Sequence, residues 1–350
     1  MSTPSPTQAS EGSSQMPPAL KAKATAAKKG KSRAPTMDAV NEASLLYANT
    51  LNARPLTPVL RSILASSQLS EAQGFVAAPY VYFNRNGIDY EDEDEGYDMV
   101  GSLYEGQQGE DDLINLDSVD QPEVRKKLAT DVAQSYKQIL SYNEIGTKYK
   151  KFVGLMGIKI HNVDGGVFTP VGDHYVAYIY DNGRLSFFDS GAPGLCSTQL
   201  EDNNTFIILK SVMSEFARES GVRLTTTCNT GTFETAAGVS EDPKNYVGQN
   251  IFCHSWSMWF IYQRLVLGRT MKQVDSMSVA PTQNEMDRQN LLRIKSFIMT
   301  YLIPTAGLSG LYCDDAFLPF TYYIHNPEVK PRARNKPKRT TMPIPGFSLN

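Results

Sequence analysis

Strands and helices follow one another along this chain without a βαβ rhythm, which predicts an α+β fold. Two segments anchor that prediction. Asn182-Gly183 lies between two β-prone runs, the strongest short signal for a hairpin, and Gln249 to Gly268 is an aromatic-rich run with helical spacing. No internal repeat is present.

Taken in order, residues 38–66 read as one or two helices broken near Pro55 and Pro58, a helical N-terminal extension. Asp120-Gln-Pro-Glu123 opens a helix carried by Val124, Leu128, Val132, Tyr136 and Leu140 at steps of four. Phe152 to Ile160 is a predicted strand, and the hairpin follows. Residues 205–219 form an amphipathic helix on Ile208, Val212 and Phe216, stopped by Gly221. Arg223 to Cys228 is a predicted strand and 229–248 a polar loop. In the run from Gln249 to Gly268, Asn250 is the expected N-cap, Phe252, Trp256, Trp259 or Phe260 and Gln263 fall at steps of three and four, and Gly268 is the expected stop. Thr282-Gln-Asn-Glu285 is a capping box before a helix carried by Leu291, Ile294, Ile298 and Leu302 and ended by Pro304.

The hairpin sets the chemistry. With Asn182 and Gly183 as the loop, Asp181 pairs with Arg184, Val176 falls opposite Asp189, and His174 falls opposite Gly191. His174 and Asp189 are then diagonal neighbours on one face, about 7–8 Å apart at Cα and within side-chain reach. A three-residue loop would instead put them on opposite faces. A carboxylate beside an imidazole fixes its tautomer and orientation, which a nucleophile–base–orienter set requires. Cys253 supplies a nucleophile in the first turn of a helix, where the dipole and a nearby imidazolium are expected to lower its pKa. Taken alone, a Cys on an apolar helix reads as core filler; the upstream His and Asp favour the catalytic reading.

The order His174, Asp189, Cys253 resembles the adenain and SUMO-protease-like clan of cysteine endopeptidases, including maturation proteases of large DNA viruses. The resemblance rests on Gly172 to Gly194, with His174-Tyr-Val-Ala177 and Phe187-Phe-Asp-Ser-Gly191, and on Gly248 to Tyr262, with Phe252-Cys-His-Ser-Trp-Ser257. It implies a papain-like cysteine protease fold in the His-Asp-Cys order, with His174 as general base and later acid, Asp189 as orienter and Cys253 as nucleophile. The clan's oxyanion-hole glutamine maps to Gln249, four residues before the Cys where the clan uses five to seven, and Asn245 and Asn250 are neighbouring amides. His254 and Ser255 stand where the clan often has Gly after the Cys. His254 itself points about 100° away from Cys253 and reads as a wall of the site or a polar contact rather than the base, while His161 and His325 read as structural.

Composition bounds the rest. The chain has 350 residues, 41% hydrophobic and 20% charged, enough for one catalytic domain with appendages. Cys196, Cys228, Cys253 and Cys313 have neither CxxC nor Cys/His ligand spacing, and no phosphate-loop motif occurs, so no metal or other cofactor is expected. No apolar run approaches 18 residues and the first thirty-odd residues lack an apolar core, so neither a membrane span nor secretion is expected. Net charge is −3, but it is segregated. The expected organisation is a disordered basic arm (1–37), a helical extension (38–87), an acidic linker (88–121), a protease domain (122–325) and a basic flexible tail (326–350). The basic ends are candidate nucleic-acid binders through counterion release. The resemblance implies viral precursor or structural proteins as substrates, cut during particle maturation in the virion or in the host cytoplasm or nucleus. The alternatives are an isopeptidase that removes ubiquitin or SUMO, and an inactive structural or nucleic-acid-binding virion component.

Overall fold

The computed structural model describes residues 36, 39, 42–43, 46–47, 50–51, 56–66, 74–84, 87–92, 96–100, 114–115, 121–164, 167–191, 204–226, 233–234, 252–278 and 280–310. All of these fall in one compact unit beginning at Ala34. Nine strands, β1 (Val76–Ala77), β2 (Val81–Asn84), β3 (Gly87–Asp92), β4 (Gly96–Val100), β5 (Ile114–Asn115), β6 (Lys151–Asp164), β7 (Val167–Asp181), β8 (Arg184–Asp189) and β9 (Arg223–Thr226), make one mixed sheet. Its order is β4-β3-β2-β6-β7-β8-β9, with β1 and β5 also pairing along β6. Helices among the described residues include α1 (Leu56–Ala65), α2 (Pro122–Tyr142), α3 (Asn204–Glu219), α4 (Cys253–Ile261), α5 (Met271–Asp275), α6 (Gln283–Phe297) and α7 (Ile303–Thr305), with π-helical turns at Tyr262–Val266 after α4 and Ile298–Leu302 between α6 and α7. The mixed sheet with helices establishes the α+β class.

Side-chain alternation sorts the core into two layers. Val153, Leu155, Tyr175, Ala177, Ile179 and Phe188 pack with α1, α4 and α6. Their neighbours Phe152, Met156, Val176, Tyr178, Leu185 and Phe187 pack with α2 and α3 on the opposite face. Two glycines make room where aromatic rings cross the sheet. A Cβ on Gly154 would collide with the buried ring of its cross-strand partner Tyr178, and one on Gly157 would meet Tyr80 Oη at 2.5 Å.

Several expectations differ in detail from the structure. Residues 76–115, assigned above to the helical extension and acidic linker, contribute five strands. In β3, Ile88 and Tyr90 alternate with Asp89 and Glu91, so a charge run concealed a strand period. The N-cap of α4 is Phe252, with no side-chain cap bond, rather than Asn250. Pro304 does not end the last helix: α6 runs through a π-helical turn (Ile298–Leu302) straight into α7, which carries Pro304 inside it, and the turn after α7 closes at Gly307 with φ +69°.

Candidate active site

The turn that aligns the site is set by two residues. Asn182 and Gly183 have φ values of +45° and +84°, the left-handed pair that a two-residue turn matching strand twist demands. The register follows: Asp181 pairs with Arg184 and Val176 with Asp189. His174 lies two residues beyond that last pair, still bonded on its other side to β6 opposite Ile158. Its ring therefore sits at the end of β8, where it reaches both the Asp189 carboxylate and the start of α4.

His174 Nε2 lies 2.8 Å from Asp189 Oδ1, and that same oxygen accepts the Gly191 N–H at 2.9 Å. Asp189 is buried, with 2% of its side chain exposed against 17% for His174. The carboxylate is thus a fixed anchor and the imidazole the more accessible member. Nε2–H donates to Asp189, which leaves Nδ1 for the Cys253 thiol, its other hydrogen-bond partner. Burial acts to lower the His174 pKa, but the charge and hydrogen bond of Asp189, with those of Cys253, hold it well above the ordinary imidazole value.

Cys253 is the first residue of α4 and is buried. Its sulfur also receives a backbone hydrogen bond from Tyr175. The expected lowering of its pKa is not realised: burial and the charge of Glu234 push the thiol up, while His174 and the Tyr175 N–H pull it back only in part. Loss of hydration on burial outweighs the favourable neighbours. α4 itself is pinned from three sides. Ser257 Oγ donates to the Tyr175 carbonyl at 3.2 Å, Ser255 Oγ meets Tyr47 Oη at 3.0 Å, and Trp256 and Trp259 pack against Phe233.

His254 lies against the Tyr175 ring with centroids 3.8 Å apart. Burial, helped by the positive charge on His174, lowers its pKa to about 3, so it stays neutral and forms a wall of the site. Gln249, Asn245, Asn250, Cys196, Cys228, Cys313 and His325 lie outside the described residues. Among the described residues no group of three or more His, Cys, Asp or Glu is arranged to hold a metal ion, and no helix is long and apolar enough to cross a membrane.

One residue at the site was not anticipated. Glu234 brings a buried carboxyl oxygen beside His174 and Asp189. It belongs to a stretch that reads as polar loop, and its placement depends on tertiary contacts through Phe233 and Ser190 that no local pattern announces. A cavity of about 460 Å³ between α1, β1 and the 143–149 turn shares no lining residue with the site.

Chemically, a thiol, an imidazole within its hydrogen-bond reach and a buried carboxylate behind the imidazole are the parts needed to attack an electrophilic carbonyl carbon and shuttle the released proton. No family model matches the chain, and no curated protein matches it. Two solved structures are similar at a low level. The SUMO protease Ulp1, with its catalytic cysteine oxidised to a sulfinic acid, is 9% identical over 70% of this chain and 75% of that one, with a TM-score of 0.25. The Legionella pneumophila effector RavZ is 8% identical over 86% and 94%, with a TM-score of 0.21.

Proposed function

We propose that the chain is a thiol endopeptidase. The observation that carries this reading is the convergence of Cys253, His174 and Asp189, with Asp189 Oδ1 2.8 Å from one imidazole nitrogen and the thiol bonded to the ring. In the reaction, His174 in its neutral form takes the Cys253 proton as the sulfur attacks the scissile carbonyl carbon. It then gives that proton to the leaving amine as the C–N bond breaks, leaving a thioester. His174 next takes a proton from water, whose oxygen attacks the thioester carbon, and returns it to sulfur as the acid departs. Asp189 holds the ring in the tautomer these transfers need. Gln249 is proposed as the oxyanion donor, an assignment supported by the clan resemblance.

The same resemblance supports viral precursor or structural proteins as substrates, maturation of a particle as the occasion, and the virion or the host cytoplasm or nucleus as the place. The basic ends at 1–37 and 326–350 support contact with nucleic acid. The test is hydrolysis of a peptide library by wild type, Cys253→Ala and His174→Ala, with and without DNA. Cleavage by wild type alone, with a preference for small residues such as Gly near the cut, is the expected result. Turnover only of a ubiquitin-like modifier conjugate would move the reading to an isopeptidase. An inert wild type, with Cys253→Ala indistinguishable from it in every assay, would make the chain a structural component.

A further inference from the structure

Ser190 follows Asp189 directly, and its carbonyl accepts two consecutive amides, Phe233 N–H at 2.9 Å and Glu234 N–H at 3.0 Å. The Phe233 ring is fully buried, with centroids 5.4 Å from Phe188, 5.0 Å from Trp256 and 5.4 Å from Trp259. Backbone and ring together lock residue 234 to the strand end that carries Asp189. The carboxyl is thereby delivered to one gap above Gly191. A Cβ built on that glycine would stand 3.2 Å from His174 Cε1, 3.3 Å from Glu234 Oε2 and 3.6 Å from Asp189 Oδ1. Three functional groups border a space too tight for one methyl.

We propose that Glu234 is a positioning residue for the thiol–imidazole pair, a second carboxyl beside Asp189 whose gain or loss of a proton sets the charge against which the thiolate must form. The inference rests on the thiol reading above. Titratable groups that interact with Glu234 include His174 from β7, Asp189 from β8 and Cys253 from α4; neutral His254, also on α4, interacts with His174. Burial pushes the Glu234 carboxyl up to about 7, the positive charge on His174 opposes this, Asp189 adds to it, and the Ser190 side chain opposes it. When ionised, Glu234 makes the Cys253 thiolate harder to form. Asp189 orients the imidazole through its 2.8 Å contact, while Glu234 changes charge within the neutral range.

The experiment is the pH dependence of Cys253 alkylation by a small neutral electrophile such as iodoacetamide, in full-length wild type, Glu234→Gln, Glu234→Asp and His174→Ala. Gln has the shape and charge of the protonated acid. Wild type and Glu234→Gln are therefore expected to coincide below about pH 6 and to separate above about pH 7, with the variant reacting roughly three- to tenfold faster near pH 8. Glu234→Asp, still ionisable, is expected to retain the inflection. Superimposed wild-type and Glu234→Gln profiles, with His174→Ala slow, would overturn this inference while leaving the thiol reading intact. A wild-type thiol as slow as that of His174→Ala would overturn both. Should Glu234→Gln not fold, a wild-type profile with no second ionisation near neutrality overturns the inference by itself.

Discussion

Ser257 Oγ hydrogen-bonds to the carbonyl of Tyr175 at 3.2 Å, one helical turn after the Cys253 sulfur takes a hydrogen bond from the backbone of the same residue. One residue of β7, Tyr175, therefore holds α4 at two points, through its N–H and its carbonyl, and it directly follows His174. The distance between thiol and imidazole depends on this clamp as much as on either side chain. Ser257→Ala is expected to cost about 1 kcal/mol of stability, the usual net worth of one hydrogen bond. Its effect on Cys253 alkylation should exceed what that loss explains, because a small displacement of α4 separates the reacting pair. Urea denaturation alongside alkylation kinetics checks the split; equal proportional losses in both would deny the clamp a role in positioning.

Replacing Asp189 by Asn keeps the shape and an oxygen able to accept from the ring, but removes the charge. Burial alone would lower the His174 pKa, and the Asp189 charge and hydrogen bond outweigh it, so the ring should titrate lower in the variant. Peptide hydrolysis is expected to fall by about 10²–10⁴-fold. The stability effect has a definite sign. A histidine whose folded pKa is raised contributes stability that is fully present below its unfolded pKa and is lost as pH rises through the folded value. Asp189→Asn should therefore destabilise most in acid and least in alkali, which thermal melts across pH would show.

The parts of this site legible in sequence were those fixed by local rules. Asn182-Gly183 dictates a two-residue turn, the turn dictates register, and register brings Asp189 to the level of Val176, so the His174–Asp189 contact could be counted out residue by residue. Helices at 122–142 and 204–219 showed their apolar stripes in the same way. What could not be read was long-range. β2 joins β6 in parallel, a pairing between segments about seventy residues apart that no periodicity encodes. Glu234 reaches the site only because Phe233 finds an aromatic pocket built from β8 and α4. The direction of the Cys253 shift was missed for a related reason: a helix start is visible in sequence, whereas the burial that overrides it is not.

Gly154→Ala tests how closely the core layer between the sheet and helices α2 and α3 is fitted. Gly154 pairs directly with Tyr178, whose buried ring lies against the place a Cβ would occupy. Tyr178 cannot swing aside easily, since Tyr136 and Phe152 pack edge-on against it at 5.8 and 6.2 Å. Overpacking of this kind costs about 1–3 kcal/mol or more. A lowered melting temperature is expected, relieved when Tyr178→Leu is added to remove the colliding ring, and not by Tyr178→Phe, which keeps the ring atoms that meet the new Cβ. No relief from Tyr178→Leu would place the strain elsewhere.

Glu234 gives stability a pH dependence separable from that of catalysis. Its carboxyl has an unfolded value near 4.5 and a folded value of about 7. Between those values the folded chain binds a proton that the unfolded chain has released, so stability from this group is full below about pH 4.5 and is lost as pH rises through about 7. The total is on the order of 3 kcal/mol. Glu234→Gln carries no ionisable proton there, and so should match wild type in acid and exceed it above about pH 7. Denaturation midpoints across that range distinguish this outcome from its opposite. Were the carboxylate stabilised by His174 instead of penalised by burial, the variant would be the less stable chain at alkaline pH.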